Sequence, residues 1–449
     1  MESDYLNEMF QNMDEMLDCP IQMNEANIPI EIYEGEFILK NKTNEINING
    51  KIQFDWFPST GANFSGELIN PIEFSLLRSL NYFDVIVKGF NIGVGLIIQT
   101  SIESKYLIKG TFQLETITGD KSIAVEKIRF CIPNFKDYLG ESVTKKTVKA
   151  ISFSRNRLIL DNDKFTIIID KCHNHKDLKD SLEVRGGYII THTGELVFKK
   201  GAINFEESKI ILNCLNAFLS FLNGKRVSAL FIHGIFEENT IWCDYSNYHV
   251  DIYGFVPSWT TGRHIEGYNA LWKEFYLMWQ KDKEVLDTAI HWYLECNKNS
   301  GFVEGSIIMA QTALELLYNW YIIENKKLLI GNDSENINAA NKIRLLIAQL
   351  DVDFTIPKRY GELQKYLTSE KLTDAPQAIV QIRNAMVHSQ EEKRKKLSQI
   401  DINAKYQALQ ISIWYIEITL LKILNFKNKY FNRCGDNSSN LYDNVPWIK

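Results

Sequence analysis

Two residue types near the C-terminus carry the chemistry that can be read from this chain. Arg383-Asn384-Ala385-Met386-Val387-His388 places an arginine and a histidine with four residues between them. The histidine can act as acid or base because its free pKa lies near neutrality. The arginine can hold phosphate oxygens in a two-pronged grip. An RNA strand supplies its own nucleophile, the 2′-hydroxyl next to the scissile phosphate. What remains is a base for that proton, an acid for the leaving 5′-oxygen, and a cation for the developing phosphorane charge.

The stretch carrying these residues reads as a helix over 375–391. Asp374 is placed to cap it, with Pro376 in its first turn. Ile379, Ile382 and Met386 recur at i, i+3 and i+7 and define a core face. Asn384 and His388 share a different face. Arg383 lies about 140° round from His388, a separation only a long side chain can close. Asn384 has no useful proton affinity and is expected to orient its neighbours.

Two further features flank the pair. Gln311, Glu315 and Asn319 form a polar stripe at i, i+4 and i+8 in an otherwise apolar helix. Either the stripe faces solvent, or it lines a groove in which Glu315 pairs with Arg383. The run Glu391-Glu392-Lys393-Arg394-Lys395-Lys396 is either a solvated face or a set of cations, Lys393, Arg394, Lys395 and Lys396, that tracks an RNA backbone.

The R-N-x-x-x-H pattern in a helical C-terminal region resembles the motif of the HEPN superfamily. A long β-rich part joined to such a module resembles the ApeA-type bacterial anti-phage proteins. The resemblance implies a helical-bundle ribonuclease with Arg383 and His388 catalytic, and Asn384 and an acidic residue such as Glu315 in support. It implies no metal and no cofactor, a composite site shared by two copies in a homodimer or higher homo-oligomer, and 2′,3′-cyclic phosphate products. It further implies abortive-infection defence by cleavage of host RNA, with tRNA at the anticodon loop as substrate. A phage-derived trigger would be sensed by the N-terminal region, which otherwise restrains the nuclease. The rival expectation is a non-catalytic HEPN module acting as sensor or scaffold. A third, a β region that binds carbohydrate or peptide above helices that only dimerise, has no residue in its favour.

The rest of the chain must position these residues. Its 449 residues allow two or three domains. The expected class is α+β multidomain: a β-rich, sandwich- or barrel-like region followed by an all-α bundle. The expected divisions are an acidic leader (1–25), a β-rich region (26–262) with one helix near 205–223, a linker helix (263–283), the bundle (284–432) and a tail (433–449). Alternating runs such as Ile30 to Gly35 and Lys51 to Trp56 support strands, separated by turn signals such as Pro58-Ser59-Thr60-Gly61. Helices are expected near 269–280, 284–297, 303–325, 338–350, 375–391 and 400–427.

Net charge is −6, which excludes a general polyanion binder. From residue 270 onward, 23 lysines and arginines meet 21 aspartates and glutamates, against 27 and 35 before it. The C-terminal part is the better candidate for nucleic acid. Seven cysteines without a C-x-x-C pair suit reduced thiols in a cytoplasmic protein. The acidic start Met1-Glu2-Ser3-Asp4 lacks the features of a signal peptide, and no stretch is expected to span a membrane. Cys172-His173-Asn174-His175 is too tightly spaced for a usual metal site and reads as a polar turn. Arg263-His264 lacks the four-residue spacing.

Overall fold

The computed structural model describes residues 13–79, 82–102, 105–146, 151–260, 262–263, 265–298, 302–331, 334, 336–387, 391–435 and 442–448. Ile46, Ile48, Ile52 and Phe54 alternate with polar or exposed neighbours along one strand, and all four are buried. That period of two recurs in β1 (Ile30–Lys40), β2 (Glu45–Asp55), β3 (Gly61–Leu68), β4 (Tyr82–Val87), β5 (Phe90–Ile102) and β6 (Tyr106–Phe112). These six close into a barrel in the order β1-β2-β3-β6-β5-β4. Pairing of Ile38 with Ile86 joins the last strand back to the first. Closure removes the free edges that an open sheet would leave. Strands β2 and β3 pass so closely at Gly50 and Gly66 that a Cβ on Gly50 would lie 2.1 Å from the Ser65 carbonyl oxygen.

An eight-stranded antiparallel sheet follows, from β7 (Ile117–Gly119), β8 (Lys127–Pro133), β9 (Glu141–Lys146), β10 (Ile151–Asp161), β11 (Phe165–Lys171), β12 (Ile190–Phe198), β13 (Leu230–Phe236) and β14 (Asn239–Asp244). Its order is β7-β14-β13-β8-β12-β11-β10-β9. Helix α1 (His175–Arg185) packs on β12 through buried Leu178 and Leu182. Helix α2 (Phe205–Asn223) occupies the span expected from its period. Barrel and sheet share one apolar cluster, in which Phe54 meets Phe231 edge-on at 5.0 Å and Trp56 stacks on Tyr188 at 5.2 Å.

The described part of the leader runs along the sheet edge. Glu15 bridges Thr144 in parallel, and the Leu17 N–H donates to Asp170 at 2.8 Å. Asp170 is fully buried and holds Arg157 through two hydrogen bonds of 2.9 and 2.8 Å; Arg157 also reaches Asp14 at 3.0 Å. A buried carboxylate needs such partners, because desolvation without them is costly.

The chain divides into two compact units, one of residues 1–216 and 227–254, the other of 217–226 and 255–449. The second half of α2 therefore belongs with the helical unit, where Phe218 meets Trp272 and Phe275 at 5.2 Å each. That unit contains α3 (Tyr268–Asn297), α4 (Phe302–Leu317) continuing as a π-helix (Tyr318–Asn325), α5 (Ala339–Ala348), α6 (Gly361–Ser369), α7 (Ala375–Val387), α8 (Glu391–Gln399), α9 (Ile402–Ile423) and the two short strands β15 (Lys429–Phe431) and β16 (Tyr442–Asn444). The protein is thus an α+β multidomain chain with a β-rich N-terminal region and a helical C-terminal region.

Several expectations are corrected in detail. The two helices expected at 269–280 and 284–297 follow one another as α3, with the break between them at Asp282, which leaves helical geometry (φ −132°, ψ 44°). Of the helix expected over 375–391, the described residues are helical from Ala375 to Val387 and again from Glu391; residues 388–390 lie outside them. Helix α6 had no expected counterpart; its inward face is short, with Leu363 buried and Tyr366 and Leu367 half-buried. The tail pairs as β15–β16, and Trp447 donates to the Phe426 carbonyl at 2.9 Å. Among the described residues, no helix is long and apolar enough to cross a membrane.

Candidate functional site

Helix α7 is built as its sequence suggests. Asp374 accepts the Gln377 N–H at 3.0 Å, satisfying one of the first-turn donors that no helix can pair internally. Arg344 on α5 fixes the same carboxylate with bonds of 2.6 and 2.8 Å. Ala375, Ala378, Ile379, Ile382 and Ala385 are buried, while Met386 is half-buried at the margin of that face. Helices α4, α5, α6, α8 and α9 all pack against α7. The helix is held at its start and along one face, and its last turn carries Arg383 and Asn384.

Arg383 is half-buried there. Its Nη1 donates to the Asn384 side-chain oxygen at 3.3 Å. Its Nε is buried and makes no hydrogen bond among the described residues. No carboxylate forms an ion pair with it among those residues, Glu315 included. Other sheltered arginines differ. Arg129 has Glu195 at 2.9 Å, Arg157 has Asp170, Arg344 has Asp374, and Arg433 has Glu417. A sheltered guanidinium with an unmade N–H and only a neutral partner keeps the capacity to bind an anion.

The polar stripe on α4 divides. Gln311 is buried, Glu315 half-buried and Asn319 exposed. Gln311 donates to Glu315 at 3.4 Å, a long bond, and its own side-chain oxygen is buried without a partner among the described residues. The Tyr318 hydroxyl, at the start of the π-helix, is likewise buried and unpaired there. The α4–π-helix arm therefore holds unmade polar groups of its own.

His388 lies outside the described residues. In the cation run, Lys395 pairs with Glu391 at 2.8 Å on its own helix, and Lys396 pairs with Glu370 just after α6. Lys393 and Arg394 fall within α8, with side chains outside the described ones. The structure therefore brings together Arg383 and Asn384, ties two of the four cations to carboxylates, and gives Glu315 a glutamine rather than an arginine. Among the described residues, no group of three or more His, Cys, Asp or Glu side chains is arranged to hold a metal ion.

Sequence reading missed the largest buried polar network of the helical unit. Arg433 holds Glu417 from β15's following turn, with Nε 2.8 Å from one carboxylate oxygen, while Tyr293 donates to the other at 2.8 Å. Gln410 and Asn297 accept from the remaining guanidinium nitrogens at 3.1 and 3.0 Å. Every arm of this arginine is used, so it serves the fold and has no capacity left for a ligand.

Comparison with known proteins gives a family context without an activity. Residues 120–256 match the family model of the YopA central domain, and residues 279–443 match that of the YopA C-terminal domain. The chain is 27% identical over 441 residues to the SPbeta prophage-derived uncharacterized protein YopA of Bacillus subtilis (strain 168), covering 94% of this chain and 96% of that protein. No solved structure matches it.

Proposed function

We propose that the helical unit is a metal-independent endoribonuclease of the HEPN type, cytoplasmic and active as a homodimer or higher homo-oligomer. The observation that carries this reading is Arg383: sheltered, hydrogen-bonded to Asn384, and without a carboxylate among the described residues. In the proposed reaction Arg383 binds a non-bridging oxygen of the scissile phosphate. His388 transfers a proton to or from the reacting oxygens as the 2′-oxygen attacks phosphorus. The P–O5′ bond breaks, the 5′-oxygen leaves protonated, and the other fragment ends in a 2′,3′-cyclic phosphate. Two copies of the motif would supply both the acid and the base.

A looped substrate suits this chemistry, because the 2′-oxygen must reach an in-line position that a regular duplex forbids. Host tRNA, cut at the anticodon loop, is the proposed target. The β-rich unit is proposed to sense a phage-derived trigger or to restrain cleavage, which would make the protein an abortive-infection effector. A prophage-derived relative fits a role in encounters between phage and host.

The test is cleavage of total bacterial tRNA by the purified full chain with EDTA present, comparing wild type, Arg383→Ala and His388→Ala. Cleavage by wild type alone, leaving cyclic-phosphate ends, supports the reading. Equal cleavage by all three places the activity elsewhere. If all three are inactive, toxicity on expression that depends on His388 separates a restrained nuclease from a non-catalytic sensor or scaffold.

A further inference from the structure

Three thiols from distant parts of the β-rich unit meet at one point. Cys19 belongs to the docked N-terminal segment, Cys131 to central strand β8, and Cys172 to the turn after β11. The Cys19 and Cys131 sulfurs are 3.5 Å apart, and Cys172 packs in the same cluster. Cys131 is fully buried, whereas Cys19 is partly exposed. Beside Cys19 opens a cavity of about 460 Å³, lined by the following residues Pro20 and Ile21 and by His233 and Tyr245. The His233 Nε2 is buried and unpaired among the described residues. The cavity brings solvent to the residues next to Cys19, the one partly exposed cysteine of the three, whose sulfur donates to the Ile21 carbonyl at 2.9 Å.

We propose that Cys19, Cys131 and Cys172 form an oxidant-sensitive thiol centre, in which a hydroperoxide joins Cys19 to Cys131 and so ties the N-terminal segment to strand β8. The Cys19 sulfur, as thiolate, attacks one peroxide oxygen. The O–O bond breaks, Cys19 becomes a sulfenic acid, and with hydrogen peroxide the other oxygen leaves as water, taking the proton Cys19 gave up. The Cys131 sulfur then attacks the Cys19 sulfur. The S–S bond forms, the S–O bond breaks, and a second water leaves with the Cys131 proton. Two thiols lose two electrons and the peroxide gains two.

The geometry asks for little movement. The sulfurs must close from 3.5 Å to about 2.0 Å. Cys19 sits on irregular chain that can shift, whereas Cys131 is fixed in the sheet. Hydrogen bonding to the neighbouring thiols, Cys131 first, pulls the Cys19 thiol down, while burial pushes Cys131 up. Attack by Cys19 and resolution by Cys131 follow from their exposure, since Cys19 is partly exposed and Cys131 is fully buried. Cys214, Cys243, Cys296 and Cys434 are buried and serve as internal references.

The experiment uses the reduced full chain with one equivalent of hydrogen peroxide, followed by alkylation and peptide mapping. The expected result is a loss of 2 Da, a Cys19–Cys131 cross-linked peptide reversed by dithiothreitol, and slower proteolysis within residues 13–26. In Cys19→Ser the loss of 2 Da should slow at least tenfold. The wild-type map decides the matter even if that variant folds poorly. Oxidation of Cys19 no faster than Cys434, or a wild-type mass that stays unchanged, overturns the proposal. A Cys19–Cys172 cross-link overturns the assignment of Cys131.

Discussion

Arg344 grips Asp374 at 2.6 and 2.8 Å, and Asp374 in turn caps the helix whose C-terminal part carries Arg383. The position of the candidate phosphate-binding arginine thus depends on a charge pair at the opposite end of its helix. The pair holds Arg344 firmly charged, chiefly through its hydrogen bonds to Asp374. Asp374→Ala should remove the cap and leave Arg344 without its carboxylate. The expected cost is about 2 kcal/mol, the sum of a lost cap and a lost charge-assisted bond. Urea unfolding of the variant, with hydrogen exchange along residues 375–387, measures both the loss and its location. Unchanged exchange in that helix would show that the cap does not hold it.

Arg383→Met should behave oppositely. The arginine spends shelter on a guanidinium with an unmade N–H and no counter-charge among the described residues. Methionine keeps most of the stem's packing and removes the unmatched charge. The unfolding midpoint is expected to stay level or rise by about 1 kcal/mol while RNA cleavage falls at least a hundredfold, the usual signature of a residue kept for function at some cost to the fold. A clear fall in the midpoint would mark Arg383 as structural.

These helix features were open to sequence reading because they are local. The cap, the Ile379–Ile382 face and the span of α2 follow from neighbours within a few turns. What stayed hidden was non-local or depended on register. The stripe Gln311, Glu315, Asn319 assumed 3.6 residues per turn throughout, but the helix widens to a π-helix at Tyr318. Asn319 therefore leaves the face that buries Gln311. Gly61 read as a turn, yet it opens strand β3, since the turn signal sits at the strand's first residue. Cys19 and Cys131 are 112 residues apart, and no spacing rule links them.

Arg433 supplies the contrast to Arg383. Its carboxylate partner Glu417 is fully buried. Arg433→Met should destabilise the helical unit by about 3–5 kcal/mol, because it strands a charge away from water. Adding Glu417→Leu should recover most of that loss, since the cost lies in the unpaired charge and not in the missing pair. Equilibrium unfolding of both variants is the measurement. A double variant as unstable as the single one would mean that the hydrogen bonds from Tyr293, Gln410 and Asn297 matter more than the charge.

The β-rich unit should lose stability in weak acid through buried histidines. Burial lowers His175 and His233 from 6.5 to about 4, and it lowers fully buried His192 as well. A base with a depressed folded pKa binds fewer protons folded than unfolded. Stability is therefore complete above about pH 6.5 and falls as pH drops toward 4, where the folded groups finally titrate. His175 also faces Asp137, which favours its charged form, and Lys171 and Lys179, which oppose it; burial together with the two lysines outweighs Asp137. A shift of this size corresponds to about 3 kcal/mol for each histidine. Carboxylates held low by partners, such as Glu115 beside Lys209 and Lys121, add their loss lower in pH, as they protonate. Unfolding midpoints at pH 7.5, 6, 5 and 4.5 should fall steadily, and His233→Gln should flatten the curve by about one histidine's share. A flat profile between pH 6.5 and 4.5 in wild type would mean that these imidazoles take up protons in the folded protein.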